Sequence, residues 1–511
     1  MRLILAIIVL AVSGAVEAAG EVAGKWSDGA PRFMPPHVFG ATPGRDFRHS
    51  FPLCGSRSGL AFLVVSGTLP EGVELDPVKG ILSGRSAHPG EYPFVIRATN
   101  EYGRADMSFT LVLGKNARAL TPPMGWTSWN AFTQDIDSSR IAASARALVA
   151  RGLAAHGYAY VNIDSCWQGE RDASDTVALQ PNRSQFPDMK ALVDEIHALG
   201  LKAGIYSTPQ VVAWGSTDRR LRMGGTGYPI DPRYPNFHFG GCGKKGFEEP
   251  DAAQFDRWGF DWLKYDWNLT DVEHARRMRT ALDKTGRDIV LQLCTECRPE
   301  DAEAFAEQAS LVRGNIDALD YWPHLATRTN AVFKGADRWL KHIRPGFWYD
   351  LDMLALGVMR IGRDEQAVAA GERSDSKFLN RLTRAEQESH FAWWAILPAP
   401  LFLSCDLNHL DDFTLELVMN EDLIAINQDY PAKPAEFLDA DSGRHRLWKR
   451  QLSDGRIVLG FFNLEGPAWN VKYPLGDTRF VRDVLVRSDV GATAEICVAV
   501  PEHGCKIYLC R

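Results

Sequence analysis

The strictest constraint in this sequence lies between about residues 120 and 430. Short β-prone runs there alternate eight times with helical patterns. Candidate strands are Met124–Ser128, Tyr158–Asp164, Lys202–Ser207, Trp262–Asp266, Asp288–Cys294, Leu311–Asn315, Phe347–Leu351 and Leu401–Cys405. Between them Met189, Leu192, Val193 and Ile196 recur at helical spacing, and Ala275 to Leu282 and Glu386 to Leu397 repeat the pattern. Eight strand–helix units over some 310 residues predict a (β/α)8 barrel. A doubly wound sheet is the competing architecture, but no glycine fingerprint follows the first strand.

The flanks are patterned differently. Residues 19–115 carry β-prone runs such as Leu60–Val65, Tyr92–Arg97 and Met107–Leu113, separated by turn signals at Pro70-Glu71-Gly72, Lys79-Gly80 and Pro89-Gly90. This predicts a small immunoglobulin-like β-sandwich. Residues 435–511 return to β patterning at His445–Arg450, Arg456–Asn463, Phe480–Val486 and Cys505–Leu509, which predicts an antiparallel β domain. Residues 1–18 have the charged start, apolar stretch and small-residue exit of a secretory signal, too short to span a bilayer. The expected location is therefore secreted or periplasmic, with no membrane span. In such a compartment the nine cysteines allow disulfides, and Cys505 and Cys510 could close a small loop. Cys294-Thr295-Glu296-Cys297 has CxxC spacing without a second such pair, which argues against zinc; a local disulfide or two core thiols fit better.

Charge and aromatic content narrow the ligand. A net charge of −7 argues against nucleic acid. The 15 Trp suggest flat, half-apolar ligands such as sugars. Trp126, Trp129, Trp167, Trp214, Trp267 and Trp348 fall on or just after barrel strands, and are expected to wall a sugar site.

Barrel chemistry gathers at the C-terminal strand ends. Those ends hold Asp164-Ser165, Tyr206, Lys264 and Asp266, Arg313 with Asp317, and Asp350 with Asp352. Residues two apart on a strand share a face, so Lys264 and Asp266 should both enter the mouth, as should Asp350 and Asp352. The ammonium favours an ionised Asp266, suited to a nucleophile. The protonated partner is expected at Asp317. Two such carboxylates are what a retaining glycosidase needs. Taken singly, Lys264-x-Asp266 reads as a structural ion pair, Asp317 as a solvated loop acid, Asp350 and Asp352 as helix caps, and the Trp residues as core. Their convergence at one barrel end favours the functional reading.

At these residues the chain resembles glycoside hydrolase family 27, the retaining α-galactosidases and α-N-acetylgalactosaminidases. Pro122–Asn130, Tyr160–Trp167, Trp262–Asp266, Arg313 with Asp317, Pro345–Leu354 and Ser389-His390-Phe391 carry the resemblance, which covers about 120–511. It implies Asp266 as nucleophile and Asp317 as acid/base, with Trp126, Asp164, Tyr206, Lys264, Arg313 and Asp352 holding the glycone. It implies double displacement with no cofactor and no metal, on an oligo- or polysaccharide. Ser165, Thr208 and Thr295 stand where the family usually has acids, and Trp267 follows the nucleophile where a small polar residue is usual. These departures imply another glycone or a substituted galactoside. Alternatives are an α-N-acetylgalactosaminide, a β-L-arabinopyranoside or an isomalto-type α-glucoside as substrate, a transglycosylase, or a non-catalytic carbohydrate-binding protein. The N-terminal module is expected to act as a spacer.

Overall fold

The computed structural model describes residues 26–171, 178–213, 233, 241–243, 246–327, 332–360, 379–438 and 443–511. The proposed signal segment and Trp214 lie outside them. The middle of the chain is the expected barrel. Its strands are β1 (Met124–Thr127), β2 (Tyr160–Ile163), β3 (Lys202–Ser207), β4 (Trp262–Asp266), β5 (Val290–Cys294), β6 (Leu311–Val312), β7 (Trp348–Tyr349) and β8 (Leu401–Leu403). All pair in parallel, in the order 7-6-5-4-3-2-1-8. Among the described residues, closure between β7 and β8 rests on one bridge, Leu354 to Leu403, with the Leu354 amide donating to Phe402 at 2.7 Å.

Registered neighbours on adjacent strands share a face. Gly125, Tyr160, Lys202 and Phe402 are in register, as are Gly204 with Trp262 and Val290. These residues point inward. Tyr160, Trp262 and Phe402 pack with ring centroids 5.1–6.2 Å apart and fill the lower barrel. Glycine makes the room: a Cβ on Gly204 would lie 1.8 Å from Asn162 Oδ1, and one on Gly125 2.5 Å from the Tyr160 carbonyl. Gly204→Val should cost the ~1–3 kcal/mol of stability typical of overpacking, or more, and lower the thermal midpoint accordingly. An unchanged melt would refute this packing.

Helices form where the periodicity placed them, with sequence-encoded caps. Asp188 caps Met189–Ala198, Asp271 caps Val272–Leu282, and Thr383 with Glu386 forms a capping box on Arg384–Ile396.

The N-terminal module is a four-stranded sheet (Val38–Ala41, Gly103–Leu113, Gly90–Asn100, Ala61–Gly67) over a three-stranded one, around a core including Phe51, Phe94 and Phe109. It docks on the lower end of the barrel. Asp46 exchanges backbone bonds with Gly286 and Asp288, Thr42 donates to Asp288, and Arg48 donates to the His197 carbonyl. The module is thus remote from the strand C-termini.

The C-terminal domain is a six-stranded antiparallel sheet packed on Arg384–Ile396 through Trp393, Trp448 and Phe462. Its strands include Trp469–Asp483 and Ser488–Val500; the second was not expected, and the first starts well before the expected Phe480–Val486 and ends short of it. The disulfide expectation needs correcting: all nine cysteines are free. Cys505 and Cys510 start and end one strand. Five residues apart on a strand, they face opposite sides and cannot close a loop. Cys294 and Cys297 are buried thiols. Among the described residues no helix is long and apolar enough to cross a membrane.

Candidate active site

The strand register fixes which side chains enter the mouth. Asp266 is in register with Cys294, and Lys264 with Tyr206 and Gln292, so these residues share the inward face. Lys264 Nζ reaches Asp164 Oδ2 at 2.8 Å and lies 5.7 Å from the Tyr206 ring centre. Asp164 also accepts from the Thr127 hydroxyl at 3.2 Å. Burial works against the Lys264 charge, but Asp164, with Asp266 beyond it, holds the ammonium well above its ordinary pKa.

Arg313, from the end of β6, is the hub of the other side. Its side chain is only 3% exposed. Nη1 meets Asp352 Oδ1 at 2.6 Å; Nη2 meets Asp317 Oδ1 at 2.8 Å and donates to Thr295 Oγ1 at 2.9 Å. Thr295 in turn donates to Asp266 Oδ1 at 2.7 Å. Two atoms, Arg313 Nη2 and Thr295 Oγ1, therefore bridge Asp317 to Asp266. Asp352 also accepts from the Ala318 amide at 2.7 Å, which ties the loop bearing Asp317 to the loop after β7. Asp350 accepts from the Asp352 amide and from Gln292 Nε2.

The backbone at the mouth is strained. Cys166, Leu269, Thr295, Glu296 and Asp352 all have φ between 56° and 82°. Non-glycine residues in that region typically cluster at functional sites, held by surrounding contacts. Asp352 is held by Ala318, Arg313 and Trp394, whose indole donates to the Asp352 carbonyl at 3.0 Å.

Electrostatics reverse one expectation. Burial raises the Asp266 carboxyl above its ordinary value, outweighing Lys264, Arg313 and Thr295, which all favour the charged form. Asp317 is only partly enclosed; the desolvation it meets favours the neutral form, but Arg313 and Lys264 outweigh it and hold the carboxyl low. Burial and the neighbouring Asp317 push Asp352 up to about 6 against the pull of Arg313. In the ligand-free site, then, Asp317 is the more acidic member of the pair with Asp266.

Most of the expected sugar-walling Trp residues are core. Trp126 lies one residue from inward-facing Gly125 and so faces the helices; its indole donates to the Cys405 carbonyl at 2.7 Å. Trp267 faces outward for the same reason, packs 5.0 Å from Tyr265 and donates to Asp271, the cap of the next helix. Trp167 packs on Phe255 and Trp258 and donates to the Tyr206 carbonyl. Trp348 donates to the carbonyl of Ala119, below the start of β1 and opposite the mouth. All four are fully buried. Trp129, opening the short helix after β1, keeps accessible surface.

Asp164, Ser165, Tyr206, Lys264, Asp266, Thr295, Arg313, Asp317 and Asp352 thus sit at one barrel end, whereas Trp126, Trp267 and Trp348 do not face it. Glu296 is exposed and accepts from the Leu269 amide at 3.2 Å, so it does not replace an acid at position 295. The sequence reading missed Thr127 and Gln292. Gln292 lies two residues before Cys294 on one strand, a spacing that marks it as inward-facing.

Comparison with known proteins agrees with this geometry. A family model described as "Alpha galactosidase A" matches residues 121–216, 236–371 and 378–429, and one described as "Putative Ig domain" matches 34–114. Alpha-galactosidase 2 of Arabidopsis thaliana is 31% identical over 417 residues, covering 79% of this chain and 93% of that protein. A Bacteroides fragilis structure described as a "putative alpha-galactosidase/melibiase" is 30% identical, with a TM-score of 0.81, and covers 96% of this chain and 100% of that one. Alpha-galactosidase I from Mortierella vinacea is 26% identical with a TM-score of 0.62, covering 78% of this chain and 98% of that one. The chain is a glycosidase with an N-terminal immunoglobulin-like module, and it belongs to the alpha-galactosidase family, glycoside hydrolase family 27.

Proposed function

We propose that the protein is an exported retaining glycosidase that removes terminal α-linked galactose-like sugars from oligo- or polysaccharides. One observation carries this reading: Asp266 and Asp317 meet at the barrel mouth, bridged by Arg313 and Thr295. Asp266 attacks the anomeric carbon while Asp317 protonates the leaving oxygen. Asp317 then deprotonates the water that releases the sugar. That chemistry needs Asp266 ionised and Asp317 protonated, the reverse of the ligand-free preference. A bound glycone favours the switch. Its hydroxyls add donors beside Asp266, and its bulk covers the Asp317 side chain, which is 50% exposed without it. Asp164, Lys264 and Tyr206 hold the glycone on the other side of the mouth.

The test is a panel of aryl α-galactoside, α-N-acetylgalactosaminide, β-L-arabinopyranoside and α-glucoside, with the first-formed anomer read by NMR. Turnover with retained configuration is expected. An inverted product, or no turnover on any of them, would sink the proposal.

A second reading concerns the glycone. The Thr295 hydroxyl already donates to Asp266 and accepts from Arg313, so its donor points at the nucleophile and not at a sugar. With Ser165 and Thr208 also lacking a carboxylate, a glycone other than plain galactose is favoured, because sites that bond a hydroxyl strongly reject analogues lacking it. Thr295→Val should lower kcat by roughly 10- to 100-fold, as expected for losing a hydrogen bond to a charged group. It should also move the acid limb of the kcat/KM profile upward, because Asp266 loses a contact favouring its ionised form. Thr295→Ser should keep both near wild type. Equal loss in both variants would contradict this role.

A further inference from the structure

Away from the mouth, three potential ligand atoms meet where the N-terminal module joins the barrel. Cys54 ends the module strand Leu53–Cys54. His156 ends the turn Ala154–His156 that leads into β2, and Glu421 opens the helix Glu421–Asn427. The Cys54 thiol, one His156 ring nitrogen and one Glu421 oxygen all lie within 4.8 Å of one another. Cys54 and His156 are buried.

The spacing is informative. His156 Nε2 is 3.8 Å from Cys54 Sγ and 3.8 Å from Glu421 Oε1. The nitrogen–oxygen separation is too long for a hydrogen bond. Ligands sharing a tetrahedral zinc ion stand roughly 3.3–3.6 Å apart, given zinc bonds of about 2.0–2.3 Å. The two separations from His156 exceed that by only a few tenths of an ångström, and Cys54 and Glu421 stand within 4.8 Å of each other, so a small inward movement of the side chains would bring this trio into coordination.

The surroundings fit as well. His156 Nδ1 lies 2.7 Å from the Gly152 carbonyl. That contact directs Nε2 at Cys54 and Glu421, the arrangement that orients metal-bound histidines. Arg32 holds both Glu421 oxygens at 2.7 and 2.8 Å and fixes the carboxylate plane. Met34, Ala155 and Trp26 pack around the thiol and shield it from water. A thiolate and a carboxylate together balance a divalent charge, and thiolate with imidazole suits zinc better than magnesium or calcium.

We propose that Cys54, His156 and Glu421 bind a zinc ion that fastens the N-terminal module to the barrel. The reaction site is not involved, so the proposal stands or falls independently of the glycosidase mechanism.

The test uses the full chain, stripped with chelator and then titrated with zinc chloride or cobalt(II) chloride. One zinc per chain is expected, with a rise of several degrees in the thermal midpoint. The cobalt form should show a thiolate-to-metal charge-transfer band. Cys54→Ser should abolish the band, and Glu421→Gln should weaken zinc binding at least tenfold. Cys497→Ser, at an exposed thiol, should change neither. Should Cys54→Ser fail to fold, the wild-type cobalt spectrum and Glu421→Gln still decide. No zinc bound at micromolar concentration, no thiolate band, or binding undiminished in Cys54→Ser or Glu421→Gln would overturn the proposal.

Discussion

Replacing Asp266 by glycine should reduce turnover of the best aryl glycoside by at least about 10⁴-fold, equivalent to ~5.5 kcal/mol of barrier. The size follows from its role. Among the described residues no other carboxylate at the mouth shares its setting, inward on β4 and in contact with Thr295. Losing it would remove the proposed covalent path altogether. Added azide or formate should restore part of the activity by entering the vacated space. Activity within tenfold of wild type would mean another group forms the glycosyl bond. A matched circular-dichroism spectrum and melt separate this outcome from misfolding.

Arg313→Ala should damage both stability and catalysis. The guanidinium sits between Asp352 and Asp317 and supports Thr295. Both Arg313 and Asp352 are almost fully buried, and removing one partner of such a pair typically costs ~3–5 kcal/mol. Loss of the preorganised donor should lower kcat/KM by on the order of 10²–10³. The pH dependence has a definite sign. Asp352 already titrates up at about 6, against an ordinary carboxylate near 4. A carboxyl with a raised folded-state pKa destabilises the native state as pH rises from its unfolded pKa toward its folded one. Without Arg313 the folded value climbs further. The stability deficit of the variant should therefore widen as pH rises through 6 and shrink near pH 4. Arg313→Lys should recover part of the charge but not the three-way geometry. A deficit independent of pH would contradict the hub assignment.

Much of the site was legible because strand parity is a simple rule. It placed Lys264 and Asp266 together correctly. Applied one residue further, the same rule turns Trp267 to the helices, and next to inward Gly125 it turns Trp126 outward as well. The excess of tryptophan thus serves mainly the barrel's packing, and its link to a sugar site reduces to Trp129 among the residues described. Cys505 and Cys510 fail as a pair by the same parity.

Other features needed the folded chain. β7 ends at Tyr349, so the position of Asp352 depends on a left-handed turn that a strand reading cannot supply. Likewise Thr295 meets both Asp266 and Arg313 only because the backbone turns at φ 75° just past β5. The acidity order of Asp266 and Asp317 depends on which is enclosed and which faces Arg313, a three-dimensional balance. The strand Ser488–Val500 was missed because most of it is exposed, and its Gly491-Ala492-Thr493-Ala494 stretch carries little apolar alternation.

In the proposed mechanism Asp266 forms a covalent bond to the sugar. A 2-deoxy-2-fluoro glycosyl fluoride of the preferred glycone should trap that intermediate, and peptide mass spectrometry should place the adduct. One sugar per chain is expected on the peptide spanning Trp262–Trp267, attached to Asp266. An adduct on Asp317 or Asp352, or rapid turnover of the reagent to an inverted product with no adduct, would contradict it.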